Sequence, residues 1–427
     1  MVDSRPVEAF SLPGGLRVVL APDPSAAVAA VAVVYDVGMR SEPEGRTGFA
    51  HLFEHMMFQG SANVGKAEHM QLVQASGGQF NGSTHIDYTD YYNVVPSNAL
   101  ERILFLEADR MAGPAVTREN LDNQVSVVKE EIRVRVQNQP YGGYPWTKLP
   151  QVMFETFPNA HDGIGSFADL EAATVGDAQS FFDTYYTPSN AVLTVVGDFA
   201  PAQAKEWIEK YFGPIAARPH PVLPDLAEPD AAGGRWETVD DELAPLPAFT
   251  AAWRVPDPQR DLTRYLANVV LTDLLADGDA SRLVQRLVHR DQKATSIGSY
   301  VSVMGEPFAT RGPAPLQVIG YLPPGTEVAE VVDTVDAEIK DAAETVTDEE
   351  IARVTTKAKA RFLRAADAPL SRARHYATAH TFHGSAEFIH RLPDLLARTT
   401  RDDVAEAAAA LTADRRTVLE LIPGGAQ

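Results

Sequence analysis

Three side chains in the stretch Gly48-Phe49-Ala50-His51-Leu52-Phe53-Glu54-His55-Met56-Met57-Phe58 combine into a recognisable chemical kit. Residues three and four apart are neighbours on an α-helix, so His51 and His55 can grip one metal ion from a single face. Glu54 then stands beside the open coordination position, where a carboxylate can take a proton from water. Alone, a histidine pair on an amphipathic helix equally describes a solvated or packed face.

The order His-x-x-Glu-His inverts the commoner His-Glu-x-x-His pattern of zinc hydrolases. Two histidines leave a zinc site one protein ligand short if the fourth position is kept for water. The segment from Thr117 to Pro140 offers the third, reading as one long helix with Thr117 as N-cap and Pro140 as its stop. Leu121, Val125, Val128 and Ile132 form its apolar stripe. Glu131 flanks that stripe on the side of Gln124, and Glu130 points to the opposite face, so Glu131 is the ligand candidate and Glu130 the solvated one.

These residues resemble the pitrilysin and mitochondrial-processing-peptidase family of zinc endopeptidases. In that family the third ligand is a glutamate at the separation Glu131 has from His55, 76 residues. Arg46-Thr47-Gly48-Phe49-Ala50 before the motif, Gly77-Gly78-Gln79-Phe80-Asn81-Gly82, Tyr91-Tyr92, Tyr186-Thr187-Pro188-Ser189-Asn190 and Asp277-Gly278-Asp279-Ala280-Ser281-Arg282-Leu283 all match the pattern, so the resemblance covers essentially the whole chain. It implies an α+β fold of two homologous α/β-sandwich domains, one zinc per chain on His51, His55 and Glu131, and peptide hydrolysis with Glu54 as the base. It also implies that the edge strand around Asn81–His85, with Asn81, Gly82 and Ser83, takes the substrate as an added strand through main-chain hydrogen bonds. Phe58 would line the pocket for the residue after the cut, and an ordinary core aromatic is an equal reading of it. Gln124, where many relatives carry a glutamate, is expected to orient a ligand by hydrogen bonding.

Family members that work alone carry an Arg and a Tyr seven residues apart in the second half, acting on the scissile carbonyl. Here Val288 and Thr295 stand at those positions, and neither can do that work. Arg290 and Tyr300 are ten apart and read as a surface residue and a strand residue. The chain therefore resembles the catalytic chain of a bacterial heterodimer, in which a metal-free sister chain supplies the pair and closes a clamshell chamber.

The elements that must position this chemistry follow from periodicity. Hairpin-like strands are expected at Leu16–Ala21 and Val28–Val37, strands at Gln79–Asp87 and Asp90–Pro96, and helices at Gly48–Gln59, Lys66–Ser76 and Asn98–Met111, the last with an Asn98/Glu101 capping pair. The second half repeats the sequence of elements, with strands at Ala248–Arg254, Thr295–Val303 and Leu316–Tyr321 and a helix at Leu262–Ala276 that lacks the motif. The closing strand Thr417–Gly424 occupies the place that Ala191–Asp198 holds in the first half. The expected division is a zinc-binding domain over 1–215, a linker over 216–235 and a metal-free domain over 236–427. At 427 residues with 45% hydrophobic content, two cores are affordable.

No cysteine is present, which excludes disulfides and thiolate ligands. The net charge of −21 disfavours nucleic acid and suits a basic peptide. No apolar run reaches the ~18 residues needed to span a bilayer, and Met1–Glu8 lacks a basic-then-apolar leader, so a cytoplasmic, membrane-free setting is expected. His69, His85, His161, His375, His380 and His383 have no ligand-like spacing. Two other readings are a non-catalytic assembly subunit, which predicts eroded ligands, and a zinc hydrolase of small molecules, which leaves the edge strand without a purpose.

Overall fold

The computed structural model describes residues 6–230 and 233–424. Residues 1–5, part of the N-terminal stretch read for a leader, lie outside it. Helices and two mixed sheets make up the α+β architecture expected.

The eleven strands are β1 (Glu8–Ser11), β2 (Arg17–Pro22), β3 (Val28–Tyr35), β4 (Gln79–Thr84), β5 (Thr89–Pro96), β6 (Ala191–Gly197), β7 (Arg235–Asp241), β8 (Ala248–Val255), β9 (Ser296–Val301), β10 (Ala314–Tyr321) and β11 (Thr417–Pro423). They form one sheet of order β1-β2-β6-β3-β5-β4 and another of order β7-β11-β8-β10-β9. Apart from β1 the two orders are the same, element for element. In each sheet the last strand of the half is inserted beside the first, parallel to it, and antiparallel to the next.

That insertion corrects one expectation. β2 and β3 do not form a hairpin, because β6 lies between them. The reason is hydrophobicity: all seven residues of Ala191-Val192-Leu193-Thr194-Val195-Val196-Gly197 are buried, and a strand covered on both faces belongs at the centre of a sheet. β4, with Gln79, Asn81 and Ser83 among its residues, is left at the edge.

The chain divides into two compact units that cut across the expected contiguous domains. The first consists of residues 1–130, 163–224 and 363–391, and the second of residues 131–162, 225–362 and 392–427. In the first unit, helix Pro369–His383 packs on β3, β6 and β5, although it lies far along the chain in the second half. It is pinned there by the buried ion pair between Arg372 and Asp23. Helices α1 (Phe49–Met56) and α2 (Glu68–Ala75) pack against β4, and α3 (Leu100–Ala112) against β3 and β5. In the second unit, helix Leu262–Ala276 packs on β9 and β10. The core of that unit includes Tyr144, Leu149 and Met153 from the first-half segment 131–162, together with Ala248, Ala252, Leu419 and Leu421.

The expected capping pair at the start of α3 is absent. A 3-10 turn over Ser97–Ala99 precedes the helix, and Glu101 instead accepts hydrogen bonds from Lys210 and Tyr211.

Candidate metal centre

Helix α1 has two faces. Phe49, Ala50, Leu52, Phe53 and Met56 are buried, and the Phe53 ring lies 5.7 Å from that of Phe181 and 4.6 Å from that of Tyr186. His51, Glu54 and His55 occupy the other face, half-buried.

The helix start is built with care. Gly48 takes φ 84°, a left-handed conformation suited to glycine, and approaches Gly165 so closely that a Cβ on Gly48 would sit 2.9 Å from the Gly165 Cα. The buried Glu42 carboxylate accepts from the Gly48 and Ala50 amides, each at 2.8 Å. An anion there also complements the positive end of the helix.

The third candidate ligand comes from α4 (Arg118–Ile132). The Thr117 hydroxyl accepts from the Asn120 amide at 3.2 Å, as an N-cap should. Leu121, Val128 and Ile132 are buried and Val125 half-buried, so the apolar stripe holds. Glu130 is exposed; Glu131 is half-buried. Glu131 is the penultimate residue of this continuous helix. Directly after it the backbone widens into a π-helix over Arg133–Gln137, a distortion often found at functional sites.

Donor atoms of His51, His55 and Glu131 lie within 4.8 Å of one another, and no other group of three such residues meets that test among the described residues. The imidazole rings stand nearly perpendicular, with centroids 4.9 Å apart. Two imidazoles and a carboxylate form a catalytic zinc set, whose donors sit roughly 3–4 Å apart around the ion. The residues present therefore fit the metal. His69, His85, His161, His375, His380 and His383 belong to no such group. Glu131 Oε1 also receives Arg135 at 2.8 Å, from a guanidinium that is largely exposed. Gln124 is buried on the expected face, but its amide donates to Asn123 Oδ1 at 2.8 Å rather than to a ligand.

Glu54 is held from the edge strand. Thr84 Oγ1 donates to Glu54 Oε2 at 2.7 Å, and a Cβ added to Gly82 would lie 3.2 Å from Oε1. Gly82 and Thr84 thus share the face of β4 turned to α1, as period-two alternation requires. Beneath them the Tyr91 and Tyr186 hydroxyls lie 3.2 Å apart. Burial first, then Tyr186 and Glu54, raises the Tyr91 phenol's pKa well above its ordinary value.

Phe58 sits among aromatic rings: His69, Phe80 and Tyr91 have centroids 5.6–5.8 Å from it, and the Arg110 guanidinium lies 5.1 Å from its ring centre. His69 is buried, and burial followed by the Arg110 charge lowers its pKa to about 4, so it stays neutral. Asn81, Gly82 and Ser83 all lie on β4.

In the second half the Thr295 hydroxyl donates to the Tyr321 carbonyl. Arg290 is exposed and pairs with Asp291 and Glu338. Tyr300 lies on β9.

The sequence reading missed Glu42 and Thr84. Glu42 sits six and eight residues before the amides it holds, a spacing with no local signature. Thr84 was within reach, because it is two residues beyond Gly82 on the same strand face.

Two descriptions of one peptidase family match the chain: "Insulinase (Peptidase family M16)" over residues 17–142 and "Peptidase M16 inactive domain" over residues 172–357. Among curated proteins, "Zinc protease PqqE" of Helicobacter pylori is 29% identical over 297 residues, covering 69% of this chain and 66% of its own length. An uncharacterized zinc protease of Streptomyces coelicolor is 26% identical over 302 residues, 69% of this chain and 64% of its own. The matched region thus spans just under two thirds of these relatives' lengths. Among solved structures, a protease from Helicobacter pylori superposes with a TM-score of 0.90 at 23% identity, covering 98% of this chain and 100% of that one. The periplasmic protease PqqL of Escherichia coli gives 0.80 at 16% identity, covering 99% of this chain and 48% of that one.

Proposed function

The chain belongs to the insulinase family of peptidases, family M16, and from that premise we propose that it is a zinc metalloendopeptidase that cleaves peptides or small unfolded polypeptides as the catalytic chain of a heterodimer. The observation that carries this reading is the convergence of His51, His55 and Glu131 donors beside Glu54 and the edge strand β4.

His51, His55 and Glu131 would hold the ion. When bound, zinc supplies Lewis acidity, which brings the pKa of water down toward ~7 and draws charge from a carbonyl oxygen. Glu54 takes the proton from the attacking water and delivers it to the leaving amine as the peptide bond breaks. Thr84 fixes the Glu54 carboxylate through Oε2, keeping the base oriented for both transfers. The free edge of β4, with Asn81, Gly82 and Ser83, binds the peptide backbone in strand register. Phe58 and Phe80 offer an apolar surface to the residue after the cut.

The heterodimer rests on what the second half lacks. With Val288 and Thr295 in place of the Arg and Tyr, and the Thr295 hydroxyl committed to Tyr321, this chain offers no second-half donors of that kind to the developing oxyanion. A metal-free homologue supplies them.

Metal analysis of purified variants tests the centre. One zinc per chain is expected in the wild type and in Glu130→Gln, and a large loss in Glu131→Gln. Zinc kept by Glu131→Gln and lost by Glu130→Gln contradicts the assignment.

A further inference from the structure

Strand β4 presents two faces, and only one of them is turned to Glu54. Gly82 and Thr84 turn toward Glu54. Ser83 turns the opposite way, where it meets Arg374 from helix Pro369–His383, within the same compact unit.

Arg374 Nε donates to Asp90 Oδ2 at 2.5 Å, and its Nη2 donates to Ser83 Oγ at 3.1 Å and to Asp90 Oδ1 at 3.4 Å. Asp90 is wholly buried and is the register partner of Ser83 across the ladder. Ser83 Oγ donates to Asp90 Oδ1 at 2.5 Å and lies 3.0 Å from His85 Nε2. The guanidinium stands 4.8 Å from the Tyr92 ring centre. Burial alone would weaken its hold on the proton, but the charge and hydrogen bond of Asp90 more than offset this and raise its pKa above the ordinary value.

Bracing Asp90 needs Nε and Nη2. It does not need Nη1, which has no protein acceptor among the described residues, on a side chain that remains 29% exposed. A partly exposed arginine with one nitrogen not used in bracing Asp90 thus stands next to the strand that would bind substrate.

Building on the peptidase reading, we infer that Arg374 makes this far face of β4 a subsite for an acidic side chain, at the substrate residue immediately before the cut. A peptide paired to the free edge of β4 sends successive side chains to opposite faces. If the residue after the cut meets Phe58, its predecessor crosses to the Arg374 side. Its arrival covers Nη1. An apolar side chain there strands a charged donor, whereas a carboxylate meets it in a charge-assisted hydrogen bond. The net charge of the chain favours basic polypeptides overall, and Arg374 reverses that preference at one position.

The test uses two peptides that differ only in Glu or Leu directly before the cut. Cleavage is measured with the wild-type chain and its partner, and binding with the zinc-loaded Glu54→Gln chain. A Glu/Leu ratio in kcat/KM of about tenfold or more is expected, the size of one hydrogen bond to a charged group. The ratio should collapse toward one in Arg374→Lys, which keeps a cation on Asp90 but loses the third nitrogen. It should do the same in the charge-neutral double variant Arg374→Gln/Asp90→Asn. A purely structural role would lower both peptides together and leave the ratio intact, and that result overturns the subsite. Cleavage of both peptides without preference also overturns it while sparing the peptidase reading. Tighter binding of the Glu peptide with no cleavage of either supports the subsite and removes the peptidase.

Discussion

At the scale of single residues, the grouping of the candidate site on one helix face was legible because it is local. His51, Glu54 and His55 lie within one and a half turns of helix, and helical spacing alone puts them together. The same periodicity separates Glu131, half-buried, from Glu130, exposed, by the ~100° turn between successive helix residues. The side chains that hold Glu54 and the helix start were not legible, because they come from strands and loops away from the motif. Thr84 is the clearest case: it holds Glu54 across 30 residues of chain. A hydrogen bond to a charged group is worth about 1.5–3 kcal/mol, so Thr84→Val should lower kcat about 10- to 100-fold, with KM and zinc content little changed. Thr84→Ser, which restores the hydroxyl, should recover most of the rate. Equal kcat values for the valine variant and the wild type would show that Glu54 needs no help from β4.

At the scale of elements, strands and helices fell close to their expected positions where burial is one-sided or complete. Helix Leu262–Ala276 has the expected bounds. Pairing was harder: the neighbour of β2 is set by the long-range insertion of β6, which no turn signal between β2 and β3 reveals. The same holds for helix Pro369–His383, docked on the first sheet by Arg372 and Asp23. The start of the motif helix depends on such a long-range device. Glu42→Ala should strand two buried amides and destabilise the protein by about 2–4 kcal/mol. Thermal unfolding should show the loss as a lowered Tm, and an unchanged Tm would mean that water replaces the carboxylate without penalty.

At the scale of the molecule, two sheets of matching strand order carry unequal chemistry. Helix α1, packed on the first, carries the candidate ligands His51 and His55, whereas helix Leu262–Ala276, packed on the second, contains no histidine. The duplication was legible from the recurring order of elements, but the exchange of segments 131–162 and 363–391 between compact units was not, because local patterns do not say which sheet a helix covers. The proposed need for a partner follows from Val288 and Thr295, which stand in the second half where an Arg and a Tyr would serve the oxyanion. An oxyanion donor is worth ~10²–10³-fold in turnover, so the lone chain should be nearly inactive even when it holds zinc. The most direct test is hydrolysis of an unfolded polypeptide by the zinc-loaded chain mixed with its metal-free homologue, comparing wild type with Glu54→Gln. The expected result is turnover only in the mixture, with a fall of ~10²–10⁴-fold in Glu54→Gln at unchanged zinc content. Near-normal turnover by the zinc-loaded Glu54→Gln mixture, or no turnover by the wild-type mixture, would contradict it.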